Sequence, residues 1–293
     1  MSDKDLLPYL MLSVSSSQQG MVRAASLLRL PHVRVTISLV VAVLLLILLL
    51  LRHYREEVHI SILPPRPPQD ASHLTQALVI AKTIEEDTDW LFHGGFNESY
   101  GLFIYTMSKN DPELGYLRPH TTKGREAAAF LSYVIDYYDV LPRYSIFIHG
   151  GDPQRHNDVL YLNSRVLPNL RHAAIDAAGY INLRCDTNPG CPVAVTPHDF
   201  TKEDAAKKLD PRAKFAPIYA ELFNVPMSEV PRQIGGVCCA QFAVHRDRIR
   251  QRPKSDYVRM MHWMATTKET DTFGVGWVME KLWHVVFGME SVQ

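Results

Sequence analysis

Between Lys123 and His156 the chain switches from a helical to a strand-like apolar period and then breaks into a polar loop, KGREAAAFLSYVIDYYDVLPRYSIFIHGGDPQRH. Ala127, Leu131, Val134, Ile135 and Tyr138 fall on one stripe at helical spacing. Pro142 stops that helix, because its ring offers no N–H and clashes with the preceding turn. Tyr144 to Ile148, YSIFI, is short, aromatic and β-branched, the composition of a central strand. A helix feeding a buried strand points to a layered α/β domain. In an open sheet of that class, ligands bind beyond the carboxyl ends of the strands. His149, Asp152 and His156 therefore lie where binding or chemistry is expected. The same residues also fit a plain Gly-Asp-Pro surface turn.

The rest of the chain from Leu74 agrees with this class. Ala77 to Ala81 and Phe103 to Met107 read as strands, Gly236 to Val244 (GVCCAQFAV) as another buried one, and Tyr180 to Arg184 as a short strand or connector. Leu160 to Ala178 reads as largely helical with a break near Pro168. Pro217 to Phe223, Ser255 to Thr266 and Val275 to Phe287 also read as helices, and Asp186 to Thr201 as a proline-rich loop. Alternating strands and helices predict a single three-layer domain with a mostly parallel sheet.

The N-terminal part is of another kind. Val35 to Leu51 is apolar apart from Thr36 and Ser38. As a helix it spans about 25 Å, a short bilayer crossing. RHYREE follows it directly, with no small-residue cleavage site, which favours a retained signal anchor over a cleaved leader. Arg23, Arg29 and Arg34 precede the run and Arg52 and Arg55 follow it, an excess that favours a cytoplasmic N-terminus. The expected order is a tail over residues 1–33, a transmembrane anchor over 34–52, a proline-rich stem over 53–75 containing ILPPRPP, and the α/β domain over 76–293. A type II protein so arranged keeps that domain in the lumen of the endoplasmic reticulum or Golgi. The sequon Asn97-Glu98-Ser99 fits that side of the membrane.

Equal numbers of Lys+Arg (31) and Asp+Glu (31) leave a formal charge of zero, which gives no support to nucleic acid as a partner. The four cysteines are too few for a disulfide-built scaffold but permit one or two bridges. Cys185 and Cys191 flank the turn DTNPG and could pair with each other or with Cys238 or Cys239. Neighbouring residues of a strand point to opposite faces, so Cys238 and Cys239 are expected to have different fates.

Polar residues at strand and helix ends complete the candidate set. Lys82, Glu86 and Asp87 follow the first strand, where carboxylates also suit the start of a helix. Arg125 and Glu126 open the central helix. Arg125 could touch a phosphate there, and Glu126 suits the helix dipole even without a ligand. Asp152 could act as a base or bind a cation, and His149 and His156 could move protons, though their spacing matches no strong zinc pattern. Trp277, Glu280 and His284 share one face of the last helix, with Glu280 a candidate base or an ordinary surface ion pair.

VIAKTIEEDTDWL resembles the opening of many glycosyltransferase-like chains. KGREAAAFLSYVIDYYDVLPRYSIFIHGGDPQRH, CCAQFAVHRDRI and WVMEKLWHVVFG resemble a mainly fungal family of formally unknown function, over roughly residues 76 to 289. That family is similar to glycosyltransferases of the A fold, with one Rossmann-like nucleotide-binding domain. The resemblance implies transfer of a sugar from a nucleotide sugar to a glycan or small-molecule acceptor. It places Lys82, Glu86 and Asp87 beside the nucleotide, Glu126, Asp152 and Glu280 at the chemistry, and Trp277 and His284 on the acceptor side. A-fold transferases commonly hold a divalent cation such as manganese on an Asp-x-Asp motif after a central strand. Within residues 76–293 the only such triplet, Asp87-Thr88-Asp89, follows the first strand. That departure leaves open a non-catalytic, carbohydrate-binding accessory module on the same fold. A tailoring enzyme of a fungal natural-product pathway is a third reading.

Overall fold

A computed structural model describes residues 35–36, 38–50, 70–108, 115–158 and 160–293. The chain separates into two compact units, Met1–Ile62 and Leu63–Gln293. In the first, the described residues 35–36 and 38–50 are helical and exposed. Among the described residues no helix is long and apolar enough to cross a membrane. The expected tail over 1–33 and the ILPPRPP segment lie outside the described residues.

The second unit is a mixed α/β domain on a five-stranded sheet. Its strands are β1 (Gln76–Lys82), β2 (Gly101–Thr106), β3 (Tyr144–His149), β4 (Tyr180–Asn182) and β5 (Phe242–His245). Their spatial order is β2-β1-β3-β5-β4. The helices named here are α1 (Trp90–His93), α2 (Phe96–Ser99), α3 (Glu126–Tyr137), α4 (Asn163–Val166), α5 (His172–Ala178), α6 (Lys202–Ala206), α7 (Phe215–Phe223), α8 (Arg246–Arg250), α9 (Lys254–Thr266) and α10 (Thr272–Val286).

The period-2 alternation of each strand divides the core into two. Ala77, Val79, Ala81, Phe103, Tyr105, Phe147, Phe242 and Val244 face α3, α7, α9 and α10, in the larger cluster. Leu78, Ile80, Leu102, Ile104, Ile146, Ile148 and Ala243 face the other way, onto a smaller cluster with Leu91, Phe96 and Ile175. Strands with both faces covered must be apolar throughout, as QALVIAK and YSIFIH nearly are.

β1 pairs in parallel with both β2 and β3, whereas β5 runs antiparallel to β3 and to β4. The expected mostly parallel sheet is therefore parallel in its centre, with one reversed strand. β4 is antiparallel to β5 and so points the same way as β1, β2 and β3. The chain leaves β4 at the carboxyl rim, makes its long excursion through residues 183–241, and re-enters from that rim as β5. Cys238 to Ala240, expected inside a strand, precede β5 as a bend with Cys239 at φ 90 and Ala240 at φ 47. Strand alternation does not apply there, and Cys238 and Cys239 are disulfide-bonded to each other. Cys185 and Cys191, expected to be bridged, are free, the former exposed and the latter half-buried.

Candidate functional site

The carboxyl ends of β1 to β4 and the entry of β5 all open on one rim. α3 follows β2 and begins at that rim, so its first turn carries Glu126 there. Arg125, the residue before it, has φ 54 and ψ −135, a backbone region that side chains other than glycine rarely occupy. Strain of this kind gathers at functional positions. The exposed Arg125 guanidinium lies 4.9 Å over the Phe273 ring.

Glu126 is half-buried. Burial, reinforced by the negative charge of Glu280, pushes its carboxyl up to about 7. Its own backbone N–H and the positive charges of Arg125 and of His156, when protonated, pull the other way. Glu280 has an ammonium partner, Lys281 Nζ at 2.8 Å from Oε1. Two carboxylates within electrostatic reach, one lifted toward neutrality and one ion-paired, are the environment that divides acid from base roles.

His149, at the end of β3, and His156, in the loop beyond, pack with ring centroids 5.0 Å apart and planes tilted by 60°. Burial holds both imidazoles below the ordinary histidine value. Glu280 acts on both in the opposite sense, joined by Glu86 at His149 and by Glu126 at His156. His149 Nε2 lies 3.3 Å from the Cys239 carbonyl, which can only accept, so its proton sits on Nε2. His156 Nδ1 is buried with no protein partner. A polar atom so placed is available to a ligand or a proton.

The loop that carries the histidines is held from below. Gln241 Oε1 accepts from the His149 backbone N–H at 3.1 Å, and Gln241 Nε2 donates to Asn157 Oδ1. Asn157 Nδ2 donates to Asn163 Oδ1 at 2.8 Å. Asn163 Nδ2 in turn donates to the carbonyls of His149 at 3.2 Å and Gly151 at 2.9 Å. Gln241, Asn157 and Asn163 are all fully buried. Trp90 Nε1 closes the loop from the other side by donating to the Gly150 carbonyl at 2.9 Å. Gly150 cannot carry a side chain here, since a Cβ would stand 2.6 Å from the Lys82 Cβ.

Other expected site residues have different surroundings. Asp152 takes Ser164 N–H at 2.7 Å on Oδ1 and the Ser164 hydroxyl at 2.9 Å on Oδ2, so both oxygens tie the loop to α4. Both Asp152 carboxylate oxygens are thus engaged by Ser164. Glu86 Oε2 accepts from Thr83 N–H and Oε1 from Gln154 Nε2, linking the β1 and β3 loops. Lys82 is buried, its ammonium 4.9 Å over the Tyr116 ring. Asp87 Oδ1 accepts from Asp89 N–H, a local turn. His284, expected to face an acceptor, is buried, with Nε2 3.1 Å from the Ser291 carbonyl. It sits against Gly236, where a Cβ would be 2.6 Å from its Nδ1. Trp277 lines a cavity beside the rim with Phe273 and Arg212. Of the α10 triad, Glu280 is the member that joins the histidines.

A divalent cation of the kind an A-fold transferase holds needs several His, Cys, Asp or Glu side chains converging on one point. Among the described residues no group of three His, Cys, Asp or Glu could hold a metal ion. The described residues do not form such a site.

Sequence spacing did not single out Lys281, Arg184 or the Gln241-Asn157-Asn163 chain. A glutamine between Ala240 and Phe242, in an otherwise apolar segment, was the available signal. Arg184 Nη1 donates to Cys238 Sγ at 3.0 Å, while its guanidinium pairs with Asp158 and Asp186. It thereby fastens the disulfide bend to the β4 exit.

The profile of a protein family described as "Protein of unknown function (DUF3431)" matches residues 78–293. No curated protein and no solved structure matches the chain.

Proposed function

The chain belongs to the DUF3431 family of proteins of unknown function, and from that premise we propose that it is a membrane-anchored, glycosyltransferase-like enzyme. The observation that carries the enzymatic reading is the meeting of Glu126, Glu280, His149 and His156 on one strand-end rim, with Glu126 raised to about 7. A base works best with its pKa near the working pH. In the proposed reaction the Glu126 carboxylate takes the proton of an acceptor hydroxyl. The freed oxygen bonds to the anomeric carbon, and the bond to the nucleoside diphosphate breaks, its electron pair leaving with the phosphate. Arg125, at the amino end of α3, is the cation offered to that leaving group. Burial, reinforced by the charge of Glu280, keeps the Glu126 proton affinity high. The Rossmann-like, A-fold character and the nucleotide sugar rest on the resemblance of the four sequence segments.

Anchoring rests on the apolar run Val35–Leu51, whose described residues are helical with exposed leucines and valines. Asn97 of the sequon is exposed, as a glycosylated asparagine must be. A lumenal domain in the endoplasmic reticulum or Golgi fits both.

The donor test is calorimetry of the full chain in detergent with UDP and GDP, with and without manganese. Binding of one of them is the expected result. No heat from either at millimolar nucleotide would remove the transfer reaction. It would leave the non-catalytic module, which the lack of a metal-holding group among the described residues and the engaged Asp152 carboxylate favour.

A further inference from the structure

Beside the rim lies a cavity of about 360 Å³, lined among others by Lys207, Asp210, Arg212, Asp271, Phe273 and Trp277. We infer that it is a subsite for an uncharged sugar ring of the acceptor. The inference rests on the transfer reading and adds where the acceptor is held and what chemistry it has.

Phe273 and Trp277 are four residues apart on α10 and so lie one above the other on one face. Phe273 is 58 % exposed, unusual for a phenylalanine with a cavity at its side. Trp277 is half-buried, held edge-on by Phe215 at 5.8 Å between ring centroids, with the Arg212 guanidinium and the Lys281 ammonium each 5.8 Å over its ring. The exposed area of Phe273 at the mouth of a concave site supplies apolar surface at little entropic cost, with polar groups around it to fix orientation. The C–H face of a pyranose matches the first, and its hydroxyls match the second.

The charges decide the ligand class. Lys207 and Arg212 give two positive charges and Asp210 and Asp271 two negative, so the lining is formally neutral. Arg212 Nη1 is already bound to Asp210 Oδ2 at 2.9 Å, and Asp271 accepts from the Gly274 N–H at 2.9 Å as the cap of α10. A free anion would meet the two carboxylates and a free cation the two bases. A neutral polyol meets fixed donors and acceptors with no net field.

The cavity is tied to the proposed chemistry by two bridges. Phe273 lies under the guanidinium of Arg125, which adjoins Glu126. Trp277 lies 5.8 Å from the Lys281 ammonium, which binds Glu280. Along α10, Trp277 is about 4.5 Å from Glu280 in axial rise. A ring stacked in the cavity would extend toward the carboxylates within one helical turn.

Saturation-transfer NMR on the full chain in detergent, with cellobiose, diacetylchitobiose, mannobiose and lactose as probes, tests this. At least one is expected to bind, and Phe273→Ala to weaken it about tenfold, as loss of an aromatic contact should. Phe273 is exposed, so its removal leaves the core intact, and Trp277→Phe is a second variant that keeps a ring. UDP binding is measured on the same samples. Sugar binding lost in Phe273→Ala with UDP binding kept supports the subsite. No binding of any of the four by the wild type, or unchanged binding by Phe273→Ala, overturns it. UDP bound without any sugar would remove the subsite but keep the donor site. Sugar bound through Phe273 without UDP would keep the subsite and remove the transfer reaction.

Discussion

Replacing Glu126 by glutamine lowers turnover of a nucleotide sugar by about 10²–10⁴-fold, the range for losing a positioned acid or base. The readout is release of nucleoside diphosphate from UDP-glucose, UDP-N-acetylglucosamine or GDP-mannose in the presence of the disaccharide probes. Wild-type turnover rises as pH passes through about 7, where the Glu126 carboxylate forms. The variant loses that limb of the profile. Misfolding is an unsuitable explanation for such a loss, because glutamine copies the protonated carboxyl in size and hydrogen bonding. The stability linkage runs in the reverse direction. Unfolded, the group titrates near 4.5, and folded, near about 7. Between those values the native chain holds a proton that the unfolded chain has released. The contribution of the group is fully present below about 4.5 and is lost as pH rises through about 7. Urea unfolding should therefore show Glu126→Gln gaining on the wild type between pH 5 and pH 8. A variant that keeps full turnover, or one whose stability tracks the wild type across that range, would remove Glu126 from the centre of the account.

Phe242→Ala costs about 3–5 kcal/mol of folding stability, the range for deleting a buried phenylalanine. Phe242 is fully buried and sits 4.8 Å from Phe147, 5.2 Å from Trp283, 5.4 Å from Tyr180, 5.5 Å from Phe287 and 5.9 Å from Phe130, between ring centroids. Those partners come from β3, β4, α3, α10 and the residue after α10, so the cavity left behind cannot be closed by moving one element. Natural domains hold about 5–15 kcal/mol in total, and the loss is a large share of that. Gln241, which holds the His149 N–H, is the adjoining residue, so the disturbance reaches the rim. Urea titration reads the change directly. Phe242→Leu, which refills much of the volume, should recover most of it. A loss below about 1 kcal/mol, close to the scatter of a surface change, would mean that the two core clusters are not organised around β5.

The elements legible in the sequence are those whose signal is local. β1, β3 and α3 were visible because a continuous apolar run, or a stripe at helical spacing, reports burial without reference to the rest of the chain. The rim position of His149 and Glu126 followed from strand and helix ends. What was not legible depends on partners far along the chain. Asp152 has the right residue type in the right loop, but Ser164 takes both of its oxygens. His284 has helical spacing with Glu280, yet the returning C-terminal segment covers it. Strand alternation predicts opposite faces for Cys238 and Cys239, and the bend at Cys239 and Ala240 removes the strand. The raised proton affinity of Glu126 comes from burial beside Glu280, a residue of the last helix, and no spacing near residue 126 could report it.

Isotope-edited infrared titration of the Glu126 carboxyl, as the wild-type minus Glu126→Gln difference spectrum, tests the acid–base centre most directly and needs neither donor nor acceptor. The raised proton affinity of the buried group requires a protonated carboxyl that survives pH 5 and gives way to carboxylate near pH 7. A difference spectrum showing carboxylate alone at pH 5 would contradict it.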